Sequence, residues 1–217
     1  MNLTLKILIL CAHPDDEVIG MGGTIKKMSK KHTIQLCVVS EGSTAQYPDK
    51  KSRDERKKAC INAGKVLGIS KIDFLDFPDM KLDTIPHLEI NRALEKIISR
   101  FNPKIIFTTP ENDLNKDHLI VHQSSLVVSR PLSSSVKKLI SYEIMGHVKY
   151  PFHPNYYEDI TKELKFKIKA LKCYKSELNR FPHTRSIEVI ESYAKIRGME
   201  SGLKNAEAFK IIRSISD

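Results

Sequence analysis

The feature that most constrains the fold is an alternation of short apolar runs with longer helix-like stretches. Residues 5–12 form a run that is apolar apart from Lys6, as is typical of a parallel strand buried on both faces. Further strand-like runs follow at residues 32–40, 71–77, 104–109 and 138–144. Strands separated by helices of these lengths favour right-handed crossovers. The chain is therefore predicted to form an α/β fold with a mostly parallel, doubly wound sheet flanked by helices.

Helices are predicted between these strands and through the last third of the chain. Their expected bounds are 17–30, 51–67, 88–101, 117–129, 161–176, 186–197 and 203–215. The aromatic, proline-containing stretch at 150–157 favours a loop. Because no linker is visible, we expect one domain over residues 1–217, with a core at about 1–148 and a helical C-terminal extension at about 149–217.

Composition excludes a disordered chain and points away from a membrane or secreted protein. The hydrophobic fraction is 41% and the charged fraction 29%, which are ordinary values for a globular protein. The four cysteines form no paired motif and are expected as small buried side chains in a reducing compartment. The first apolar run stops at His13, too early for a signal peptide or a membrane span. We therefore expect a cytoplasmic protein without stable membrane insertion.

The chain is basic, with 36 Lys and Arg against 26 Asp and Glu and a net charge of +10. The basic residues concentrate at 50–58 and 162–175, where they are expected to form solvated helix faces. An anionic substrate is the alternative explanation. A non-catalytic nucleic-acid-binding protein is a distant alternative, because the charges are diffuse and no nucleic-acid motif is present. No nucleic-acid partner is expected.

Metal-type side chains follow two of the predicted strands. The sequence HPDDE at 13–17 comes directly after the first strand, and DLNKDH at 113–118 comes shortly after the fourth. Ligands of open parallel sheets bind beyond the carboxyl ends of the strands, and these two strands are neighbours in the commonest doubly wound order. His13, Asp16 and His118 supply two imidazoles and one carboxylate, a set that catalytic zinc sites use while keeping a position for water.

Each cluster taken alone has a plainer explanation. The HPDD run is also typical of a polar turn in which Asp15 or Asp16 caps a helix, and His118 alone suits the exposed start of a helix. Two ligand-rich clusters that both follow buried strands favour the metal hypothesis over these alternatives. Asp15 adjoins Asp16 without being a ligand, which makes it the candidate general base.

A family resemblance rests on the same clusters. The sequence AHPDDE at 12–17, with nearby glycines at 20, 22 and 23, resembles the signature of the PIG-L/LmbE-like zinc N-deacetylases. Other segments are also similar to that family: 40–42, 75–79 and 113–118. Two later segments resemble a bacterial and archaeal branch tied to surface-sugar biosynthesis: 171–177 and 181–186.

The resemblance implies a Rossmann-like fold and a hydrolase that removes an N-acetyl group from an amino-sugar conjugate, in surface polysaccharide or glycoconjugate biosynthesis. It places Zn²⁺ on His13, Asp16 and His118 and the general base on Asp15. Iron(II) or another divalent ion suits the same ligands. A metal-dependent amidase acting on a different small N-acyl substrate is the alternative activity. The oligomeric state stays open, with a homo-oligomer among the options.

One position departs from the family pattern. Many members carry a histidine three positions before the last ligand, and Asn115 stands there in this chain. Its amide can bond an oxyanion but cannot donate a titratable proton. The proton for the leaving amine would then come from Asp15 or from His183, and a surface-loop histidine is the alternative explanation of His183. Arg130 and Arg185 are candidates for binding a substrate phosphate or carboxylate, the alternative being surface salt bridges.

Overall fold

The computed structural model describes residues 3–42, 50–146 and 148–216. Strands and helices alternate through most of this length. A short 3-10 turn, Leu82–Thr84, precedes the third helix. The elements in chain order are β1 Lys6–Cys11, α1 Asp16–Met28, β2 Thr33–Ser40, α2 Lys50–Leu67, β3 Lys71–Phe77, α3 His87–Phe101, β4 Ile105–Thr108, α4 Lys116–Val128, β5 Lys138–Tyr142, β6 Tyr156–Asp159, α5 Leu164–Leu171, α6 Ile187–Ser201 and β7 Ala206–Ser214.

The seven strands form one sheet in the order β3-β2-β1-β4-β5-β7-β6. Strands β1 to β5 are parallel, as the alternating pattern predicts. From β1 the chain builds outward to β2 and β3 on one side, and then to β4 and β5 on the other. The strand order therefore reverses between β1 and β4, which opens a crevice at their carboxyl ends. The predicted mostly parallel α/β fold is confirmed.

The C-terminal third corrects the predicted helical extension. Residues 203–215 were expected to be helical, but β7 occupies Ala206–Ser214 and pairs antiparallel with both β5 and β6. The segment EAFKIIRS has no strong local preference, and the hydrogen-bonding edge of β5 decides its conformation. Strand β6 also takes the end of the stretch expected as a loop, and α5 is shorter than predicted.

The core forms two apolar layers, one on each face of the sheet. Side chains of β1 alternate between them, with Ile7 and Ile9 on one face and Leu8 and Leu10 on the other. All four are at most 1% exposed. Burial on both faces explains the apolar run after Lys6, and it anchors the strand that leads into the first polar cluster.

A close backbone approach shapes the end of β1. Gly42, which follows β2, has a φ of 65°, and a Cβ there would lie 2.4 Å from Pro14 Cδ. Only glycine lets the end of β2 approach the HPDD turn so closely.

Over the ranges that the structure describes, none of the helices combines the length and apolarity that a membrane span requires.

Candidate metal centre and active site

The turn between β1 and α1 points consecutive side chains in different directions. Asp15 adopts a φ of 118°, a conformation that non-glycine residues rarely take. The turn is held by the His13 N–H, which donates to Asp16 Oδ2 at 2.9 Å, and by the Asp15 N–H, which donates to Glu17 Oε2 at 3.1 Å. Asp15 precedes α1 but its side chain makes no capping bond. The simple capping explanation of this cluster therefore lacks support.

The ends of β1 and β4 bring the two sequence clusters together. His13 Nδ1 lies 3.2 Å from His118 Nε2, although the residues are 105 positions apart. Asp16 Oδ1 lies 3.4 Å from His118 Nε2, and Asp16 Oδ2 lies 3.9 Å from His13 Nδ1. One ligand atom from each residue lies within 4.8 Å of the other two, and all three residues are buried.

The outer nitrogen of each imidazole is held by carboxylates. His118 Nδ1 donates to Asp113 Oδ2 at 2.6 Å. His13 Nε2 lies 3.1 Å from Asp117 Oδ2 and 3.2 Å from Asp79 Oδ1. Such contacts fix the tautomer of a neutral imidazole, so that both inner nitrogens carry lone pairs. Two lone pairs facing each other at 3.2 Å repel unless a positive species lies beside them. The donor set thus fits a bound cation.

The electrostatics of the metal-free cluster agree with that requirement. Burial lowers the pKa of His13, but hydrogen bonds to Asp117 and Asp79 outweigh it and raise the pKa to about 9. Burial likewise lowers the pKa of His118, and the charge of Asp16 and the bond to Asp113 raise it to about 10. Asp16 stays ionised, because His118 and His13 lower its pKa against the effect of burial. Without a metal, protons supply the positive charge.

Asp15 faces two arginines. Its Oδ2 accepts a hydrogen bond from Arg185 Nε at 2.9 Å and lies 3.7 Å from Arg56 Nη2. Arg56 also lies 3.4 Å from Glu177. Burial raises the pKa of Asp15, and the charges of Arg185 and Arg56 offset only part of that rise. Asp15 Oδ1 is buried and has no hydrogen-bond partner within the described parts of the chain, so this oxygen is available to accept a proton.

The two polar atoms of the Asn115 side chain make different contacts. Its Oδ1 accepts a hydrogen bond from the Asp117 N–H at 2.9 Å and caps α4. Its Nδ2 lies 3.5 Å from Met80 Sδ. Because the oxygen is committed to the helix, Asn115 offers the cavity an N–H donor.

Two adjoining cavities meet at this cluster and share three lining residues, Met80, Asn115 and Arg185. The first has a volume of about 320 Å³, and its other lining residues are His13, Arg56, Asp79 and Glu177. The second, of about 410 Å³, includes His118 and is more apolar, with Ile19, Leu114, Ile144 and Met145 among its lining residues. Volumes of this order suit a small-molecule substrate.

Arg130 lies outside this site, which corrects the prediction of a substrate contact there. It follows His118 by 12 residues, so the rise of the helix separates them by about 18 Å. Its Nε donates to the Val127 carbonyl at 2.9 Å, and it lines a separate cavity with Glu95 and Ser133. The predicted helix at 117–129 already places Arg130 at the end opposite His118, away from the carboxyl ends of the strands.

His183 is exposed, whereas Asp15 and the three predicted ligands are buried. Its Nδ1 accepts a hydrogen bond from the Arg185 N–H at 3.1 Å. This placement suits the surface-loop alternative, with His183 holding the backbone of Arg185. Arg185 itself lines both cavities beside Asp15, so the structure keeps one of the two predicted arginines near the ligands.

Several residues of the site were not assigned from the sequence. Arg56 belongs to the basic run expected as a solvated face, yet it is 8% exposed and points at Asp15. Asp79 lies in a segment similar to the family but had no role. Glu17 closes the motif, and its pKa is raised by burial to about 8. Tyr174 donates to Glu17 Oε1 at 2.5 Å. The family-like segments were the available signal for Asp79 and Glu17.

Comparison with known proteins identifies the family. The family model described as PIG-L: GlcNAc-PI de-N-acetylase matches residues 8–129. The uncharacterized deacetylase YaiS of Escherichia coli is 30% identical over 184 residues, 81% of this chain and 93% of that protein. A diacetylchitobiose deacetylase of Thermococcus kodakarensis is 24% identical over 99% of this chain and 85% of its own length.

A solved structure agrees with the sequence relatives. The N,N'-diacetylchitobiose deacetylase from Pyrococcus horikoshii, complexed with an inhibitor, superposes with a TM-score of 0.80 at 25% identity, covering 96% of this chain and 84% of that one. The family model covers more than half of this chain, and YaiS is similar across most of both lengths. This protein therefore belongs to the PIG-L family of de-N-acetylases.

Proposed function

We propose that this protein is a metal-dependent hydrolase that removes the N-acetyl group from an amino-sugar conjugate. The observation that carries the proposal is the pair of inner imidazole nitrogens, His13 Nδ1 and His118 Nε2, which face each other at 3.2 Å beside the Asp16 carboxylate. The family description and the diacetylchitobiose deacetylases among the relatives support an N-acetylated amino sugar as the substrate class.

His13, Asp16 and His118 would hold the cation. Two imidazoles and one carboxylate are a usual donor set for catalytic Zn²⁺, although iron(II) also suits them. When bound, the ion polarises the acyl carbonyl and lowers the pKa of a water molecule. Asp113, Asp117 and Asp79 orient the two imidazoles toward the ion through the outer ring nitrogens.

Asp15 is the proton carrier of the reaction. Its free Oδ1 accepts a proton from the attacking water, whose oxygen forms a bond to the acyl carbon. The same carboxyl then gives the proton to the amide nitrogen as the carbon–nitrogen bond breaks. Acetate and the free amine leave, and Asp15 returns to its ionised form. Arg185 and Arg56 lie against Oδ2, which leaves Oδ1 as the oxygen that takes up and returns the proton.

Asn115 and Arg185 complete the site. The Nδ2 group of Asn115 is the protein donor for the oxyanion that develops on the acyl oxygen. Arg185 uses its Nε for Asp15, so a phosphate or carboxylate on the substrate would bind through the remaining guanidinium nitrogens. His183 is not needed as a proton donor in this scheme, because Asp15 performs both transfers. Segments 171–177 and 181–186 resemble the family branch tied to surface-sugar biosynthesis. This resemblance supports a role for the enzyme in surface polysaccharide or glycoconjugate biosynthesis.

The test is a substrate screen with a single readout. Purified protein loaded with Zn²⁺ is incubated with a panel of free, nucleotide-linked and lipid-linked N-acetylated amino sugars, and released acetate is measured. We expect release from at least one conjugate, a rate lower by orders of magnitude with Asp15→Asn, and no release with chelated protein. A Zn²⁺-loaded wild-type protein that releases acetate from no member of the panel would contradict the proposal.

A further inference from the structure

A second buried charge cluster lies against the middle of α1. Lys167, from α5, and Glu207, from β7, are each 4% exposed, and Lys167 Nζ lies 2.6 Å from Glu207 Oε1. Both residues come from the C-terminal third, whereas α1 carries the first-turn residue Asp16. A fully buried ion pair is costly unless other bonds satisfy both charges. Its surroundings therefore indicate what the pair does.

The pair is inserted into the backbone hydrogen bonding of α1. In an uninterrupted helix the Gly23 N–H would donate to the Ile19 carbonyl. Here Lys167 Nζ donates to the Ile19 carbonyl at 2.8 Å, and the Gly23 N–H donates to Glu207 Oε1 at 3.0 Å. The next amide, of Thr24, donates to Glu207 Oε2 at 2.7 Å. Each half of the ion pair thus bonds one of the two backbone groups that an uninterrupted helix would pair with each other.

The backbone of α1 is broken at the same place. Met21 has a φ of −148° and a ψ of 24°, which are not helical values. Side chains inserted between the backbone partners of a helix are a known cause of such kinks. The carboxylate also lies at the start of the second half of α1, where a negative charge stabilises a helix. The Lys167–Glu207 pair therefore accounts for both the break and the start of the new segment.

The glycines of GMGG make room for this insertion. A Cβ on Gly22 would lie 3.1 Å from Lys167 Cγ, and a Cβ on Gly23 would lie 2.7 Å from Ile160 Cβ. Larger residues here would push α5 away from α1 and lengthen the bonds to Ile19 and Gly23. The glycine-rich sequence thus serves the contact with the C-terminal third.

The break determines the direction of the first turn of α1. Asp16 precedes Met21 by five residues, or about 8 Å along the helix, and Asp15 immediately precedes Asp16. We propose that the Lys167–Glu207 pair is a positioning pair for the metal centre, since it fixes the kink that presents Asp16 to His13 and His118. The inference rests on the proposed function in requiring that this centre bind a cation.

The test measures cation affinity in folded variants. Glu207→Gln removes the carboxylate charge while retaining the shape, and Lys167→Met leaves Glu207 on its two backbone donors. Co²⁺ titration, followed by the visible absorption of the bound ion, gives a dissociation constant and reports ligand geometry without any substrate. We expect the dissociation constant to rise about tenfold or more in Glu207→Gln, as for other residues that orient ligands, and by less in Lys167→Met.

Arg197→Met is the matched control. Arg197 forms a half-buried ion pair with Glu143 at 2.5 Å, and none of the ion pairs or hydrogen bonds found in the described ranges joins it to α1. This variant should lose thermal stability while keeping the wild-type affinity and spectrum for Co²⁺. Circular dichroism well below each melting temperature establishes that the variants are folded.

The outcomes separate the two proposals. Wild-type affinity and spectrum in a folded variant at position 207 or 167 overturn the positioning role while leaving the metal centre in place. An equal loss of affinity in Arg197→Met also overturns it, since general destabilisation then suffices. If Glu207→Gln does not fold, the Co²⁺ affinity of Lys167→Met tests the positioning role. Wild-type protein that binds no divalent cation overturns the metal centre itself, and the positioning role with it.

Discussion

Two buried charge clusters contact α1, and they differ in whether their charges balance. At the first turn, four carboxylates contact two imidazoles: Asp16, Asp79, Asp113 and Asp117 around His13 and His118. At the middle of the helix, one ammonium meets one carboxylate, and backbone groups satisfy the rest. In the first cluster the carboxylates outnumber the imidazoles, whereas in the second the two charges balance. Charge balance thus separates a binding site from a structural contact within one helix.

The largest effect should come from removing a member of the unbalanced cluster. His118→Ala deletes one imidazole lone pair and is expected to abolish both Co²⁺ uptake and acetate release. The fold should persist, because His118 is not part of the apolar core. Metal titration and circular dichroism on the same sample check this. Tight Co²⁺ binding by the folded variant would contradict the assignment of the ligands.

The second-largest loss of activity should come from a substitution that lowers turnover without weakening metal binding. Asp15→Asn keeps the shape of the side chain but removes the base, so turnover should fall by about 10²- to 10⁴-fold. Metal affinity should stay near the wild-type value, because Asp15 Oδ2 faces Arg185 and Arg56. Steady-state kinetics and Co²⁺ titration measure the two quantities. Unchanged turnover would remove Asp15 from its role.

A smaller loss of Co²⁺ affinity is expected from replacing a carboxylate that orients a metal ligand. Asp113→Asn weakens the hold on His118 Nδ1, and the dissociation constant for Co²⁺ should rise by about 10- to 100-fold. Asp83→Asn is the matched control, since Asp83 pairs with Lys116 on the surface at the start of α4. The control should bind Co²⁺ as the wild type does. Equal effects from both substitutions would contradict an orienting role for Asp113.

The unbalanced cluster should also make the metal-free protein sensitive to pH. The folded pKa values of His13 and His118, about 9 and about 10, lie above the ordinary value of 6.5. Raised values stabilise the fold below pH 6.5, and this contribution is lost as the pH rises through 9 and 10. The melting temperature of chelated protein should fall from pH 7 to pH 10, on the order of 5 °C.

Zn²⁺ should oppose that loss, because the metal binds deprotonated imidazoles and its affinity rises with pH. Melting curves of chelated and Zn²⁺-loaded protein at several pH values test the contrast. A chelated protein as stable at pH 10 as at pH 7 would contradict the raised pKa values.

The smallest effect on acetate release is expected from a substitution far from both charge clusters. Arg130→Ala alters the distant end of α4 and should leave the kinetics of acetate release unchanged, whereas Arg185→Ala removes the partner of Asp15 and should lower turnover. The pair of variants distinguishes two arginines that the sequence presented as equivalent. A large kinetic loss from Arg130→Ala would reverse this conclusion.

The sequence determined the parts of the protein that depend on local pattern. Alternating apolar runs predict the five parallel strands, and the HPDDE and DLNKDH segments follow strands that the doubly wound order makes neighbours. His13, Asp16 and His118 could be proposed as ligands because the carboxyl ends of parallel strands lie at one edge of the sheet.

Only the tertiary structure decided the partners of those residues. Asp79, Asp117 and Arg56 reach the site from separate elements, and nothing in their local sequence specifies the distance to His13 or Asp15. The strand at Ala206–Ser214 likewise exists because the edge of β5 supplies its hydrogen bonds, which places Glu207 beside the break in α1. Local periodicity specifies which face of an element is buried, while pairing between distant segments depends on how the whole chain packs.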